Sequence, residues 1–162
     1  MKTKFTMAME RALYEHSKAH GVGVYGCFEV TLGEGYGNER VDYMTMDNND
    51  TFRCYEIKES ESDFNSKAKM SFYGDLNYIL MPSGLSKILE DQRNKKYKLM
   101  LMRGVGVLLY WSTTGRISID RKPKKKHITM AKRVELMHCM VRSLSRYCHY
   151  EFDGVENGGG II

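Results

Sequence analysis

The chain has 162 residues, the size of one domain built on one hydrophobic core. Its composition, 42% hydrophobic and 28% charged with two prolines, excludes a disordered, collagen-like or linker-rich chain, and no apolar run approaches the length that spans a bilayer. The net charge of +5 conceals a division: 10 basic and 15 acidic residues through Asp91, then 15 basic and 5 acidic from Gln92 onward. An acidic half joined to a strongly basic half points to a polyanionic partner held beside chemistry that needs carboxylates.

Phe5, Met9, Ala12 and Leu13 recur at helical spacing through His16, and Gly21 and Gly23 end the pattern, which predicts a first helix. Val22, Val24, Gly26, Phe28, Val30 and Leu32 then alternate with the period of a strand until GEGYGNE breaks it. That glycine-rich segment precedes a strand instead of opening a helix, so it resembles no phosphate-binding loop. Residues 40–46 and 51–57 flank a turn-forming DNND and read as a β-hairpin. Ser60 or Ser62 can cap a helix in which Phe64, Ala68 and Phe72 face one side. Residues 77–81 form a short strand stopped by Pro82, and Ser83 can cap a helix from Gly84 or Leu85, with Leu85, Ile88 and Leu89 inward. The stretch DQRNKKYKLMLM fits either a continuation of that helix or a strand over 98–102. GVLLYW and RISID, joined by STTG, read as a second hairpin, and RKPKKKH as a basic loop held open by Pro123. Thr129 can cap a long last helix in which Val134, Met137, Val141 and Leu144 form the buried stripe while Arg133, Arg142 and Arg146 lie elsewhere.

The methionines, among them Met44, Met46, Met100, Met102, Met137 and Met140, read as core filler. Residues 1–150 thus make one domain and 151–162 a flexible tail ending in NGGGII. The order α, β, β, β, α, β, α, β, β, α suits an α/β fold, a mixed β-sheet flanked by helices on both faces. The four cysteines, Cys27, Cys54, Cys139 and Cys148, form no CxxC pair, and the turns of the last helix separate His138-Cys139 from Cys148-His149, so packing thiols are expected over a zinc site. The N-terminal residues lack an apolar stretch of signal-peptide length, so a cytoplasmic protein with reduced thiols and no membrane partner is expected.

The first hairpin carries the chemistry. Residues two apart on a strand share a face, so Glu56 and Lys58 project together while Ile57 enters the core on the other side. The start of one antiparallel strand lies opposite the end of its partner, which lets Asp42 meet Glu56. Two hard carboxylates can hold Mg²⁺ with several of its waters, the ion neutralises a scissile phosphate, and an ammonium can orient or help deprotonate the attacking water. Without a cation Asp42 and Glu56 repel one another, so the site is either a metal site or an ion pair bridged by Lys58.

ERVDY followed by CYEIK resembles the D…ExK core of the PD-(D/E)XK nuclease superfamily, with Val41 where the superfamily name has proline. More narrowly, EIKESESDFNSKAKMSFYGDLNYILMPSG is similar to the MmcB-like branch through Glu56, Lys58, Ser60, Asp63, Phe64, Lys69, Tyr73, Pro82 and Gly84. The resemblance runs from about residue 40 to residue 147. It implies a restriction-endonuclease-like fold and a DNA endonuclease dependent on Mg²⁺, with Mn²⁺ as substitute, in DNA repair, restriction or the biology of phages and mobile elements; a phage-encoded member would work in the host cytoplasm. It further implies Asp42, Glu56 and the Ile57 carbonyl as metal ligands and Lys58 as the residue acting on water. Position alone adds Glu10 as a further acidic ligand.

Lys69 and Tyr73, placed on one helical face, are expected to touch DNA, as are Arg116 and the run Arg121, Lys122, Lys124, Lys125 and Lys126, which can neutralise phosphates without reading sequence. Cutting both strands of a duplex needs two sites, and a homodimer is compatible with that. The competing reading from another class is a nuclease-fold module that binds DNA or protein and no longer cuts.

Overall fold

In the computed structural model, residues 2–19, 21–33 and 39–157 are described, with side chains to residue 149. Helix α1 (Lys4–Ser17) leads into strands β1 (Val24–Thr31), β2 (Arg40–Asp47) and β3 (Phe52–Ile57). The short α2 (Glu61–Asn65), strand β4 (Leu76–Pro82), and helices α3 (Leu85–Asp91) and α4 (Lys95–Met102) follow, then β5 (Gly106–Trp111), β6 (Arg116–Arg121) and the long α5 (Met130–Asn157). The six strands lie in chain order in one sheet. The β3–β4 and β4–β5 pairs are parallel and the β1–β2, β2–β3 and β5–β6 pairs antiparallel, so the sheet is mixed, as the element order implies.

Helices cover both faces. Met9, Ala12 and Leu13 of α1 pack on Tyr43, Tyr55, Ile57, Leu80, Leu108 and Tyr110. On the other face α5 buries Leu136, Cys139 and Met140 against Cys27, Val30, Val41, Met44, Phe52 and Cys54. Beside it, Phe64, Leu85, Leu89, Tyr97 and Met100 cover Ile79, Met81, Val107 and Leu109. Strands buried on both sides explain why β4 and β5 read as largely apolar runs.

Local chemistry sets the element ends. The Thr3 hydroxyl accepts the Thr6 N–H at the start of α1, and Ser60 and Asn94 accept from Asp63 and Tyr97 at the starts of α2 and α4. The Asn94 cap settles the ambiguous stretch 95–102 as a helix. In the DNND turn, Asp47 Oδ1 accepts the N–H groups of Asn49 and Thr51 while Oδ2 pairs with Arg53 at 2.8 Å.

Several expectations are corrected. The helix capped by Ser60 ends at Asn65 and does not reach Phe72, because the Lys96 ammonium takes the Phe64 and Ser66 carbonyls that a longer helix would use internally. Ser83 makes no side-chain cap on α3. On α5 the buried positions are Leu136, Cys139, Met140 and Ser143, while Val134, Val141 and Leu144 are 46%, 60% and 41% exposed. The arginines win that contest: Arg133, Arg142 and Arg146 bond Asp75, the Thr31 carbonyl and the Thr31 hydroxyl, which turns the helix away from its most apolar stripe. Backbone helix runs to Asn157, and residues 158–162 of the expected tail lie outside the described residues. Val22, expected to open the first strand, is fully exposed and precedes it. Met44, Met100 and Met140 are core residues as expected, whereas Met102 is exposed. Cys27, Cys54 and Cys139 are buried free thiols and Cys148 is an exposed one.

One carboxylate ties the layers together. Asp75, fully buried, accepts the Phe52 N–H at the start of β3 and takes both terminal nitrogens of Arg133 at 2.8 and 2.7 Å, while its carbonyl accepts the Lys126 N–H. Burial alone would push this carboxyl up, but the Arg133 guanidinium and the Phe52 N–H outweigh it and hold the pKa below the ordinary value. Arg133→Leu, which strands a buried charge, should cost about 3 kcal/mol at pH 7 in urea unfolding. Because the folded pKa is depressed, this stabilisation is complete above the unfolded value and lost as pH falls through the folded one, so the cost should shrink below about pH 4. A cost independent of pH from 7 to 3 would contradict this account.

Candidate functional site

The β2–β3 register ends at Tyr43 opposite Tyr55, and Asp42 and Glu56 are the next residues beyond that pair on their strands. There the Asp42 carboxylate replaces a backbone acceptor: its Oδ2 receives the Ile57 N–H at 2.8 Å. The β1–β2 pairing is interrupted at the same level, between Phe28–Tyr43 and Val30–Val41, where Glu29 has φ 56°. Phe28 and Tyr43 pack toward α1 whereas Val30 and Val41 pack toward α5, so both strands change the face they bury across this break. Glu29 and Asp42 therefore leave the ordinary alternation together.

Glu56 is 2% exposed, and its Oε1 accepts the Ser71 N–H at 3.0 Å. Burial first, then the neighbouring Asp42 charge, pushes its pKa up to about 9, against the opposing pull of the Ser71 N–H and Lys58. Asp42 is also raised, by burial, with the Ile57 N–H and Lys58 working against it. Lys58 is 5% exposed, yet its ammonium bridges neither carboxylate; it lies 3.4 Å from Asp63 Oδ1. Asp63 Oδ2 accepts the Glu59 N–H, and Glu59 is held by the hydroxyls of Thr3 and Thr6 at the start of α1.

The trio expected from sequence is thus brought together, with Ile57 in the core on the α1 side. Each carboxylate keeps a second oxygen, Asp42 Oδ1 and Glu56 Oε2, without a hydrogen-bond donor among the described residues. Two carboxylate oxygens left without donors, on residues whose charges act on one another, suit a hard divalent cation if water or the Ile57 carbonyl completes the shell. Among the described residues no three His, Cys, Asp or Glu side chains gather as a metal site, so protein carboxylates would supply only part of such a shell. Glu10 is held by Lys2, which bridges it at 2.5 Å to Glu29 at 2.8 Å, and Arg40 binds the other Glu29 oxygen at 2.7 Å.

The expected DNA contacts divide. Lys69 and Tyr73 do not share a helical face, since residues 66–75 are non-helical; both donate to Glu39, as does the Ser71 hydroxyl. Glu39 consequently holds the segment whose Ser71 N–H fixes Glu56. Arg121, Lys122, Lys124 and Lys125 are exposed and Lys126 is half-buried. Arg121 pairs with Val107 and the Lys126 N–H binds Asp75, which sets this loop at the N-terminal ends of the parallel strands. Glu56 and Lys58 lie at the C-terminal end, so the length of β3, roughly 17 Å, separates them. Arg116 is at the same end of the sheet as the trio but on edge strand β6.

Sequence reasoning missed Glu39, Ser71, Lys96, Lys2, Arg40 and Glu29. The first three act through a non-helical segment and a packed helix that no periodicity marks. The Lys2–Glu29–Arg40 link depends on a positive φ at a residue type that gives no warning of it.

No protein-family model matches the chain, and no curated protein matches it. The chain is similar to a solved structure of a protein of unknown function from Silicibacter pomeroyi, at 19% identity and a TM-score of 0.69, over 100% of this chain and 99% of the other. That likeness supports the fold as a whole. No helix among the described residues is long and apolar enough to cross a membrane.

The raised pKa makes Glu56 a testable element in metal-free protein. Since its folded value lies above the unfolded one, it takes up a proton on folding between about pH 4.5 and 9, and stability is lost as pH rises through that window. Glu56→Gln, which keeps an oxygen for the Ser71 N–H, should gain on wild type by about 1 kcal/mol or more by pH 8 in EDTA, and Mn²⁺ should restore wild type relative to the variant. Parallel melting curves from pH 5 to 9 would sink this reading.

Proposed function

We propose that the chain is a metal-dependent DNA endonuclease of the PD-(D/E)XK type. The observation that carries this is the pairing of Asp42 and Glu56 at one strand end, each anchored through one oxygen by a backbone N–H and each with its second oxygen unpaired, beside the buried Lys58. A bound Mg²⁺ or Mn²⁺ would neutralise phosphate charge and lower the pKa of a bound water. Asp42, Glu56 and the Ile57 carbonyl would hold it. The two backbone N–H groups fix the carboxylate orientations, so that little reorganisation accompanies ion binding.

Lys58 orients the attacking water or takes its proton. Asp63, 3.4 Å from the ammonium, keeps it aimed before substrate arrives, and the α1 hydroxyls that hold Glu59 fix the chain beyond it. Exposed Arg121, Lys122, Lys124 and Lys125 supply affinity for phosphates remote from the cut, independent of sequence. One copy holds one trio, so cutting both strands takes two encounters or two copies.

Lys58→Ala should lose at least a hundredfold in cleavage of plasmid and oligonucleotide DNA with Mg²⁺ or Mn²⁺ while melting as wild type does and binding Mn²⁺ by calorimetry. Purified wild type that cuts neither duplex, single-stranded nor branched DNA, and binds no Mn²⁺, would replace the nuclease with a binding module.

A further inference from the structure

A cleft of about 390 Å³ opens between residues 66–73 and α4, lined by Lys67, Lys69, Lys96 and Arg103 against one acid, Glu39. Lys69 is engaged by Glu39, and Lys96 by the Phe64 and Ser66 carbonyls. Lys67 and Arg103, both exposed, present their charge to the cleft. Between the cations the wall is apolar, with Met70, Phe72, Leu99 and Met100, and Leu99 is 54% exposed.

The cleft also connects the two regions that the sheet holds apart. At one end Ser71, in the segment that forms its wall, binds Glu56, and Lys96 feels the charges of Lys58 and Asp63. At the other, Arg103 precedes Gly104, whose carbonyl accepts the Lys124 N–H at 2.8 Å. Gly104 has φ +81°, and a Cβ there would meet Lys124 Cβ at 2.7 Å, so the basic loop lies directly on the end of α4.

We infer that this cleft takes an unpaired nucleotide of single-stranded DNA and leads the strand from the carboxylates to the basic loop; the inference rests on the nuclease reading for its direction and on the cleft for its ligand. Duplex DNA offers an apolar wall nothing to bind, since its bases are stacked inside the helix. An unstacked base can lie against Phe72 and Leu99 while Lys67 and Arg103 meet the flanking phosphates, the combination that single-strand sites use. A volume near 400 Å³ suits one nucleotide and not a duplex groove.

The test is fluorescence anisotropy in EDTA, where no cleavage occurs, with labelled dT12 and a labelled hairpin duplex. Wild type should prefer dT12. Lys67→Glu/Arg103→Glu should weaken dT12 binding at least tenfold, leave the hairpin within about twofold, and flatten the slope of log K against log salt by about 1.4. Leu99→Glu, also at an exposed position, should weaken dT12 as well. Lys122→Glu/Lys125→Glu should weaken both probes alike, and dTMP should compete for the cleft only weakly, because it lacks the second phosphate. Wild-type preference for the duplex, or unchanged dT12 binding in the cleft variants, overturns the inference. If wild type never cuts but the cleft variants lose dT12, the nuclease reading fails and the cleft stands. If it cuts single strands with the same KM in the cleft variants, the cleft fails and the nuclease stands.

Discussion

The fold turns on the Asp75 carboxylate. A buried charge is tolerable only when its oxygens are satisfied, and this one is satisfied by the first N–H of β3 and a guanidinium from α5. Those bonds fix where β3 begins, and with it where Glu56 and Lys58 emerge at its far end. They also set the rotation of α5, since a helix that must aim Arg133 at Asp75 cannot bury Val134 and Val141 as well. The Arg133 bond to the Asp50 carbonyl extends the same constraint to the β2–β3 turn.

A second constraint governs the site. Asp42 and Glu56 are each held by a single backbone N–H on one oxygen, so their geometry follows from the hairpin and from the 66–73 segment, not from a neighbouring cation. Burial first, and then the unrelieved Asp42 charge, drives Glu56 up to about 9. Glu39 stabilises that segment from outside by gathering Lys69, Ser71 and Tyr73.

Much of this was legible in sequence where one periodicity acts alone. The alternation of 40–46 and 51–57 around DNND located the hairpin, and the two-residue spacing of Glu56 and Lys58 located the trio. The reading failed where two signals competed. On α5 the apolar stripe Val134, Met137, Val141, Leu144 was outweighed by arginine hydrogen bonds to partners far along the chain. After Ser60, helix-forming composition lost to Lys96, which lies about thirty residues away and takes the carbonyls. The basic loop after β6 is legible as a charge run, with Arg121, Lys122, Lys124 and Lys125 exposed, but its placement at the opposite end from the trio follows from the parallel direction of β4 and β5, which charge counting does not contain.

The cleft wall and the carboxylates come from different parts of the chain. Asp42, Glu56 and Lys58 sit on or just after β2 and β3 with α1 behind them, whereas the apolar and cationic wall is built from the non-helical 66–73 segment and the short, half-exposed α4. Substitutions at Lys67, Leu99 or Arg103 change side chains that the core does not bury. The surface of the cleft can therefore drift in descendants of this chain while Asp42, Glu56, Lys58 and the packing beneath them stay as they are, a separation that favours change of surface over loss of the fold.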